Sequence, residues 1–307
     1  MVNFIKTQNS FRHGELAKEF FSTGDVHGVS HLENMDIVAN GALVRRPGLQ
    51  RIYDLGATSG RLITFSVDED EEYLIVLSNG IAKIFFHGEA FQTLVVPWSE
   101  EDIPLLQYTQ KFGTMIFVHP DYSPRVLYKS GATLQLREFT FAYTPDQTNI
   151  NMPFTRYEDT KDITITVTYP VDGVHMKTNK NFWTANHVGG CLSLLGKTWI
   201  INSYIGPKEI TAVCTGIFTV PADPVSDWKE ATFSATRGWP SCVTFHQDRL
   251  VFGGAKSWPG GVWMSKVGQH ENFDLGTGLD DEAIFFTIVS DRRQQICTLI
   301  SSNGCKF

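Results

Sequence analysis

Apolar and polar residues alternate from residue 61 onward in short runs that end at turn residues, which is the period of β-strands. The first runs predict four strands joined by tight turns, with Ser78-Asn79-Gly80 as one hairpin turn. These strands are 61–67, 72–77, 81–86 and 91–96. Four strands that follow one another so closely predict an antiparallel meander, which has the size of one propeller blade.

The same pattern recurs immediately afterwards and predicts a second blade. Its turns contain Lys111-Phe112-Gly113, His119-Pro120-Asp121 and Lys129-Ser130-Gly131. The predicted strands are 105–110, 114–118, 125–128 and 134–141. The two sets share a pattern of strands and turns, not a sequence.

The chain changes character after residue 142 and returns to the blade pattern near its end. Residues 142–157 are polar, and residues 160–235 form further short strands between loops rich in Gly, Pro and Asn. We interpret this region as an inserted β domain resembling a small barrel. Blade-like strands resume after Trp239-Pro240, and the unit that contains 283–290 and 296–300 is unfinished at Phe307.

The predicted fold is therefore all-β, with incomplete or composite propeller-like sheets, an inserted small barrel-like domain and an N-terminal arm. A propeller of so few blades does not close its ring. Within the arm, residues 15–21 and 30–35 are predicted as short helices. The predicted divisions are an arm or clasp at 1–55, blades at 56–145, the inserted domain at 146–236, and a returning propeller-like segment, with its last unit unfinished, at 237–307.

Composition narrows the classes of function. The 307 residues are 42% hydrophobic and only 19% charged, which predicts that partners or other subunits cover much of the surface. The formal net charge of −7 argues against a protein that coats nucleic acid, although DNA could still pass through an acidic channel. We expect no membrane span, because no run of apolar residues is long enough, and no secretory signal. Assembly in a cytoplasm is predicted.

The five cysteines are odd in number and lack metal-ligand spacing, so we expect reduced thiols in or near β cores.

Gly24-Asp25-Val26-His27-Gly28 matches the GDxHG signature of metal-dependent phosphoesterases, but no second ligand motif accompanies it. The acidic run 68–72 is expected to be a solvated hairpin tip, not a calcium site. His246 and Asp248 with Ser241 lack a nucleophile elbow. We predict no catalytic, metal or cofactor site and no cofactor.

Six residues are candidates for a subunit or partner interface. Adjacent arginines on an extended segment point in opposite directions, so one of Arg45 and Arg46 could face a partner or a channel. Three tryptophans could form a carbohydrate platform, although packing in a core or an interface is favoured. The six candidates are Arg45, Arg46, Trp239, Arg249, Trp258 and Trp263.

Several segments together resemble, in order along the chain, a tail-protein family of short-tailed bacteriophages. Phe11 to Leu16 is similar to its F-x-x-GE(L/I) start, and Leu32-Glu33-Asn34 with Arg45-Arg46-Pro47-Gly48 to its LEN…RRPG element. The other matching segments are 60–65, His119-Pro120-Asp121 with Pro124-Arg125, Trp239-Pro240 with 245–254, and, less clearly, 275–281.

The resemblance implies a tail nozzle, also called a tail tubular or stabilisation protein. Such proteins contain β-propellers and form six-fold rings at the distal end of a short tail, so the resemblance implies a virion location. They attach to an adaptor ring and to fibres or spikes, and double-stranded DNA leaves through their channel. Members of the family usually continue past the position of Phe307, so a closed propeller is not expected from this chain alone.

Three hypotheses follow, and the first is favoured. The chain is a non-enzymatic subunit of a phage tail nozzle, in a hexameric ring. Alternatively, it is a carbohydrate-binding propeller that acts as a receptor-binding module. A metal-dependent phosphoesterase that uses Asp25 is the third and weakest hypothesis.

Overall fold

Strands make up 47% of the chain and helices 3%, so the all-β prediction is confirmed. The computed structural model describes residues 8, 10–17, 27–56, 59–171, 173–289 and 295–301. Two compact units are present, Met1–Asp54 and Leu55–Phe307. No helix among the described residues is long and apolar enough to cross a membrane.

The first unit contains two small pairs of strands. β1 (Gly14–Glu15) pairs in parallel with β2 (Gly28–Val29), and β3 (Met35–Ile37) forms an antiparallel hairpin with β4 (Leu43–Arg45). The predicted helix at 30–35 is wrong. Asn34 has a φ of 58°, outside the helical region, and its carbonyl accepts a hydrogen bond from the Arg46 amide at 3.0 Å.

The second unit contains three four-stranded antiparallel sheets. Each is a meander in which consecutive strands are neighbours. The first sheet is β5 (Arg61–Ser66), β6 (Glu72–Ser78), β7 (Ile81–Phe86) and β8 (Glu89–Val95). The second is β9 (Gln107–Lys111), β10 (Thr114–His119), β11 (Tyr122–Ser130) and β12 (Thr133–Glu138).

The third four-stranded sheet is β20 (Pro240–His246), β21 (Arg249–Ala255), β22 (Trp258–Met264) and β23 (Ile284–Thr287). Residues 247 and 248, between β20 and β21, have φ values of 46° and 60°, which fits the two-residue hairpin turns that match strand twist. This sheet corresponds to the strands predicted after Trp239-Pro240.

A seven-stranded antiparallel sheet lies between the second and third sheets in sequence. Its spatial order is β13-β19-β16-β17-β18-β15-β14, and it curls into half a barrel. Its strands are β13 (Phe154–Thr155), β14 (Ile165–Thr168), β15 (Val174–Thr178), β16 (Cys191–Leu194), β17 (Lys197–Gly206), β18 (Glu209–Cys214) and β19 (Trp228–Ala231). Its core contains three fully buried tryptophans, Trp183, Trp199 and Trp228. Single 3-10 turns occupy Ile103–Leu105, Glu158–Thr160 and Ala185–His187.

The second four-stranded sheet is buried on both faces. Met115 and Phe117 of β10 belong to a core shared with the first sheet. The alternate residues, Ile116 and Val118, belong to a core shared with the third sheet. Because successive side chains of a strand point to opposite faces, one strand supplies both cores. The three sheets are therefore stacked face to face in the order of the sequence.

Candidate partner interface

Arg45 and Arg46 lie in the first unit and are exposed to solvent. Arg45 ends β4, and Arg46 follows it with its guanidinium Nη2 at 3.4 Å from the Asn34 side-chain oxygen. Both cations lie at the end of this hairpin. Both are accessible to a partner.

Arg249 differs from the interface prediction, because its side chain is buried within its own chain. Only 4% of the residue is exposed. Its guanidinium donates to the carbonyl of Ser265 at 2.7 Å and to the carbonyls of Glu282 and Asp280. A buried cation satisfied by backbone carbonyls holds segments together and is not available at a surface. Arg249 is therefore a structural residue that fixes the turn before β23.

The three candidate tryptophans are covered to different degrees. Trp263 is 2% exposed and lies between Phe233, at a centroid distance of 4.9 Å, and Phe285, at 5.4 Å. Trp239 is half-buried against the core of the second and third sheets. Trp258 is half-buried, and its indole Nε1 donates to Thr287 Oγ1 at 2.9 Å. The interface prediction is therefore also corrected for Trp263, whose faces are covered by other aromatic rings.

Trp258 and Trp263 line one groove of about 450 Å³ between the seven-stranded sheet and the third sheet. Phe285 stacks on Trp263 with an interplanar angle of 23°, and its ring is near-perpendicular to Trp258 at 73°. Phe285 is 36% exposed, so the aromatic corner is open on its outer side. A groove of this size with an aromatic corner and polar groups beside it suits a small ring-shaped ligand or an inserted side chain.

The charges around this groove have different environments. The Arg156 guanidinium donates to backbone carbonyls, including that of Lys161 at 3.0 Å, so its hydrogen-bonding capacity is used within the chain. Lys229 and Asp274 also line the groove and are exposed. The rim thus offers one cation and one carboxylate to a ligand.

A second groove, of about 440 Å³, lies between the second and third sheets. At one side of this groove, Lys111 Nζ forms an ion pair with Asp248 at 2.6 Å, and this contact lowers the pKa of the Asp248 carboxyl. His270 Nε2 lies 3.6 Å from the same carboxylate. The pair joins β9 to the turn between β20 and β21.

The structure does not bring Ser241, His246 and Asp248 into a triad. Ser241 Oγ donates to the carbonyl of Ile296 at 2.9 Å, and His246 Nδ1 lies 3.0 Å from Ser301 Oγ. Asp248 pairs with Lys111. Each side chain has a separate partner, so the geometry provides no serine activated by a histidine.

The metal-site candidates have mixed outcomes. Asp25 of the GDxHG match lies outside the described residues. Among residues that the structure does describe, no group of three or more His, Cys, Asp or Glu side chains could hold a metal ion. The acidic run 68–72 connects β5 to β6, as predicted, and Glu71 forms an ion pair with Lys129.

The cysteine prediction holds only in part. Cys242 is buried, Cys191 and Cys214 are half-buried, and Cys297 is exposed; all four are free thiols. Burial raises the pKa of the Cys191 thiol to about 11 and that of Cys242 to about 12. These two thiols are therefore protonated and unreactive near neutral pH. Cys305 lies outside the described residues.

Sequence analysis missed a charged cluster centred on Arg237. Its guanidinium donates to both carboxylate oxygens of Asp159, at 2.9 and 3.1 Å, and to Glu230. It also lies 4.0 Å from the centroid of the Tyr157 ring. Glu230 is 4% exposed, and burial raises the pKa of its carboxyl. The cluster joins the segments that enter and leave the seven-stranded sheet, and no local motif marks it.

Comparison with known proteins gives little information about this chain. No family model matches it, and no curated protein matches it. A solved structure that it resembles in part is the crystal structure of BBS1N in complex with ARL6DN, soaked with mercury. The alignment has 10% identity and a TM-score of 0.22, and it covers 68% of this chain and 49% of that one. The chain thus spans about half of the length of that structure's chain.

Proposed function

We propose that this chain is a structural subunit of the tail nozzle of a short-tailed bacteriophage. It is not an enzyme in this proposal. Its copies form a hexameric ring in the virion, around a channel through which double-stranded DNA passes. The ring attaches to the tail adaptor protein and to fibre or spike proteins, and it assembles in the host cytoplasm.

The observation that carries the proposal is that separate segments of the family resemblance contact one another in the fold. The Trp239 amide, in the Trp-Pro segment, donates to the carbonyl of Pro120, in the His-Pro-Asp segment, at 2.9 Å. Arg249, in the 245–254 segment, binds the carbonyl of Asp280 in the 275–281 segment. The first contact joins the second sheet to the third and the second lies within the third sheet, so matching segments that are distant in sequence meet in the fold, which favours a shared propeller-like architecture.

The stacking itself agrees with propeller blades. Inner strands of neighbouring blades lie close together and outer strands diverge, so each blade buries both faces against its neighbours. The second sheet does this with residues 115–118 of β10. A ring of subunits would also cover sheet edges that are exposed in a single chain.

The first test is immunogold labelling of phage particles with an antibody raised against this chain, with an anti-capsid antibody as the control for accessibility. Label at the distal end of the tail would support the nozzle. Absence of label from intact particles and from particles with opened tails, together with normal capsid label, would reject a virion role.

The aromatic groove favours a second candidate function, binding of a carbohydrate. Sugar rings present C–H faces that pack on aromatic side chains, and the groove presents the half-buried Trp258 and the partly exposed Phe285, with the buried Trp263 behind Phe285. A glycan array probed with the chain tests this candidate. Trp258→Ala should abolish binding, and Phe112→Ala should not, since Phe112 is 80% exposed and lies outside this groove. Absence of any glycan signal from the wild-type chain would reject it.

A further inference from the structure

The free edge of the third sheet has no charged side chain. β23 ends this sheet and pairs only with β22. Residues 284–289 read Ile-Phe-Phe-Thr-Ile-Val, a run without charge, proline or glycine. Ile284 is 40% exposed, Phe285 36% and Val289 90%. Such a run is prone to pair with another strand when its edge is open.

The register shows which backbone groups face the open side. The Ile288 amide donates to the carbonyl of Gly260 at 2.9 Å, and the pairing continues through Phe286 with Val262. In an antiparallel pair, hydrogen-bonded positions alternate. Phe285 and Thr287 therefore direct their N–H and C=O groups away from β22. These groups are available to a further strand.

Four other edges of the described sheets are protected. β12 carries Arg137 and Glu138, and β8 has a bulge opposite Ile84 and Phe85. At β5, the Gln110 side chain bonds to the backbone N–H and C=O of Ser66. β14 is bridged by residue 225. Since charges, bulges and covering groups are the usual means of blocking edge pairing, their absence at β23 points to an edge that is used.

We propose that β23 pairs antiparallel with β23 of a second copy of this chain, which would extend the third sheet across two subunits. An uncharged apolar strand is its own suitable complement, because the side chains that meet are apolar on both sides. Asp280 and Asp281 lie four and three positions before Ile284 and are exposed, and Asp281 lies 3.7 Å from Lys266 Nζ. Parallel pairing would bring these carboxylates together, whereas antiparallel pairing places them at opposite ends, so repulsion selects the antiparallel arrangement.

This contact is two-fold symmetric, with the same surface on both copies. A ring requires a different, head-to-tail contact, so the inference does not rest on the proposed function. Loss of the β23 contact and failure of tail labelling are separate results. The contact also differs from ligand binding in the aromatic groove, because it uses the backbone of β23 and not an indole ring.

The test is sedimentation equilibrium of the full chain with substitutions at Thr287. Thr287→Pro removes the outward N–H that a second strand needs, and proline is tolerated on edge strands. Thr287→Val is the matched control, because both variants lose the hydroxyl that accepts from Trp258, but only proline lacks the N–H. We expect wild type and Thr287→Val to have about twice the mass of Thr287→Pro at equal concentration. Hydrogen exchange should show protection of the Thr287 amide only in the paired species.

Equal masses for all three proteins, or an unprotected Thr287 amide in the wild type, would overturn the proposal. If Thr287→Pro loses its near-ultraviolet circular dichroism and is therefore misfolded, Val289→Lys decides. Val289 is 90% exposed, so this change should leave the fold intact. A lysine at the edge should halve the mass, as the proline does; an unchanged mass would reject pairing.

Discussion

Replacing Arg249 by methionine should strongly destabilise the third sheet. The change removes three hydrogen bonds from a charged donor to the carbonyls of Ser265, Asp280 and Glu282. Hydrogen bonds to a charged group contribute about 1.5–3 kcal/mol each. Two effects reduce the total, because burial of a charge is itself costly and methionine fills much of the same volume. Water can also reach the Asp280 carbonyl, since this residue is exposed. We therefore expect a net loss of about 3–5 kcal/mol.

The assay is urea unfolding followed by tryptophan fluorescence, with the thermal midpoint as a second measure. For a unit of this size each 1 kcal/mol corresponds to about 2–4 °C, so the midpoint should fall by roughly 6–20 °C. Arg137→Met is the matched control. Arg137 pairs with Glu271 at 3.0 Å, but its side chain is 41% exposed, so its loss should cost less than about 1 kcal/mol.

An Arg249→Lys variant separates charge from geometry. A lysine keeps the positive charge but cannot reproduce the fork that reaches carbonyls in different directions, so an intermediate loss is expected. The reasoning is refuted if Arg249→Met loses no more stability than Arg137→Met. It is also refuted if Arg249→Lys is as stable as wild type, because charge alone would then suffice.

The remaining predictions concern the stack, the Arg237 cluster and a turn. Ile116→Ala and Phe117→Ala should each lower the free energy of unfolding, measured by urea denaturation, by about 2–5 kcal/mol, because they leave cavities on opposite faces of one sheet. If only one of the two variants lost stability, burial of both faces would be contradicted. Arg237→Ala should cost about 3–5 kcal/mol in the same assay, since Glu230 stays buried without its partner. Adding Glu230→Gln should restore part of this loss, and no recovery would reject the pairing. Hydrogen bonds from Thr144 and Thr148 lower the pKa of Asp146 from 3.8 to about 2, so the ionised carboxylate stabilises the fold above pH 3.8, and this stabilisation is lost as the pH falls toward 2. Asp146→Asn should therefore be less stable than wild type above pH 3.8 and approach its stability near pH 2. A difference in unfolding free energy that stays constant with pH would refute this.

Local features of the fold could be predicted because they depend on neighbouring residues. Short apolar-rich runs between turn residues predict strands at 61–67, 72–77 and 81–86, and the structure has them at Arg61–Ser66, Glu72–Ser78 and Ile81–Phe86. The Asn79-Gly80 turn is confirmed by a φ of 69° at Gly80, a conformation that glycine adopts without strain. The spacing of apolar residues and the residue types of turns can both be recognised within short stretches of sequence.

Features that depend on distant partners could not be predicted. Arginine is usually exposed, and Arg249 is buried because the turn at 280–282 packs over it and accepts its hydrogen bonds. Arg237 and Asp159 are 78 positions apart, so no motif connects them. The sequence offers Trp239, Trp258 and Trp263 either as a carbohydrate platform or, as favoured, for packing, and the structure places Trp258 and Trp263 in the lining of one groove. The stacking of Phe285 on Trp263 could not be predicted from the sequence. Residue type determines which interactions a side chain can make, and tertiary packing determines which of those interactions it makes.

The stacking of the sheets limits where a partner can bind. The second sheet has both faces buried, so it offers only loops and edges. The third sheet has one face against the second, and Leu299 and Ile296 pack against the other. Of its two edge strands, β20 and β23, β23 carries exposed apolar side chains and no charge. Because the faces of these two sheets are largely covered, the edge formed by β23 is the surface through which we propose that the third sheet assembles, and substitutions at Thr287 and Val289 test this more directly than substitutions in either core.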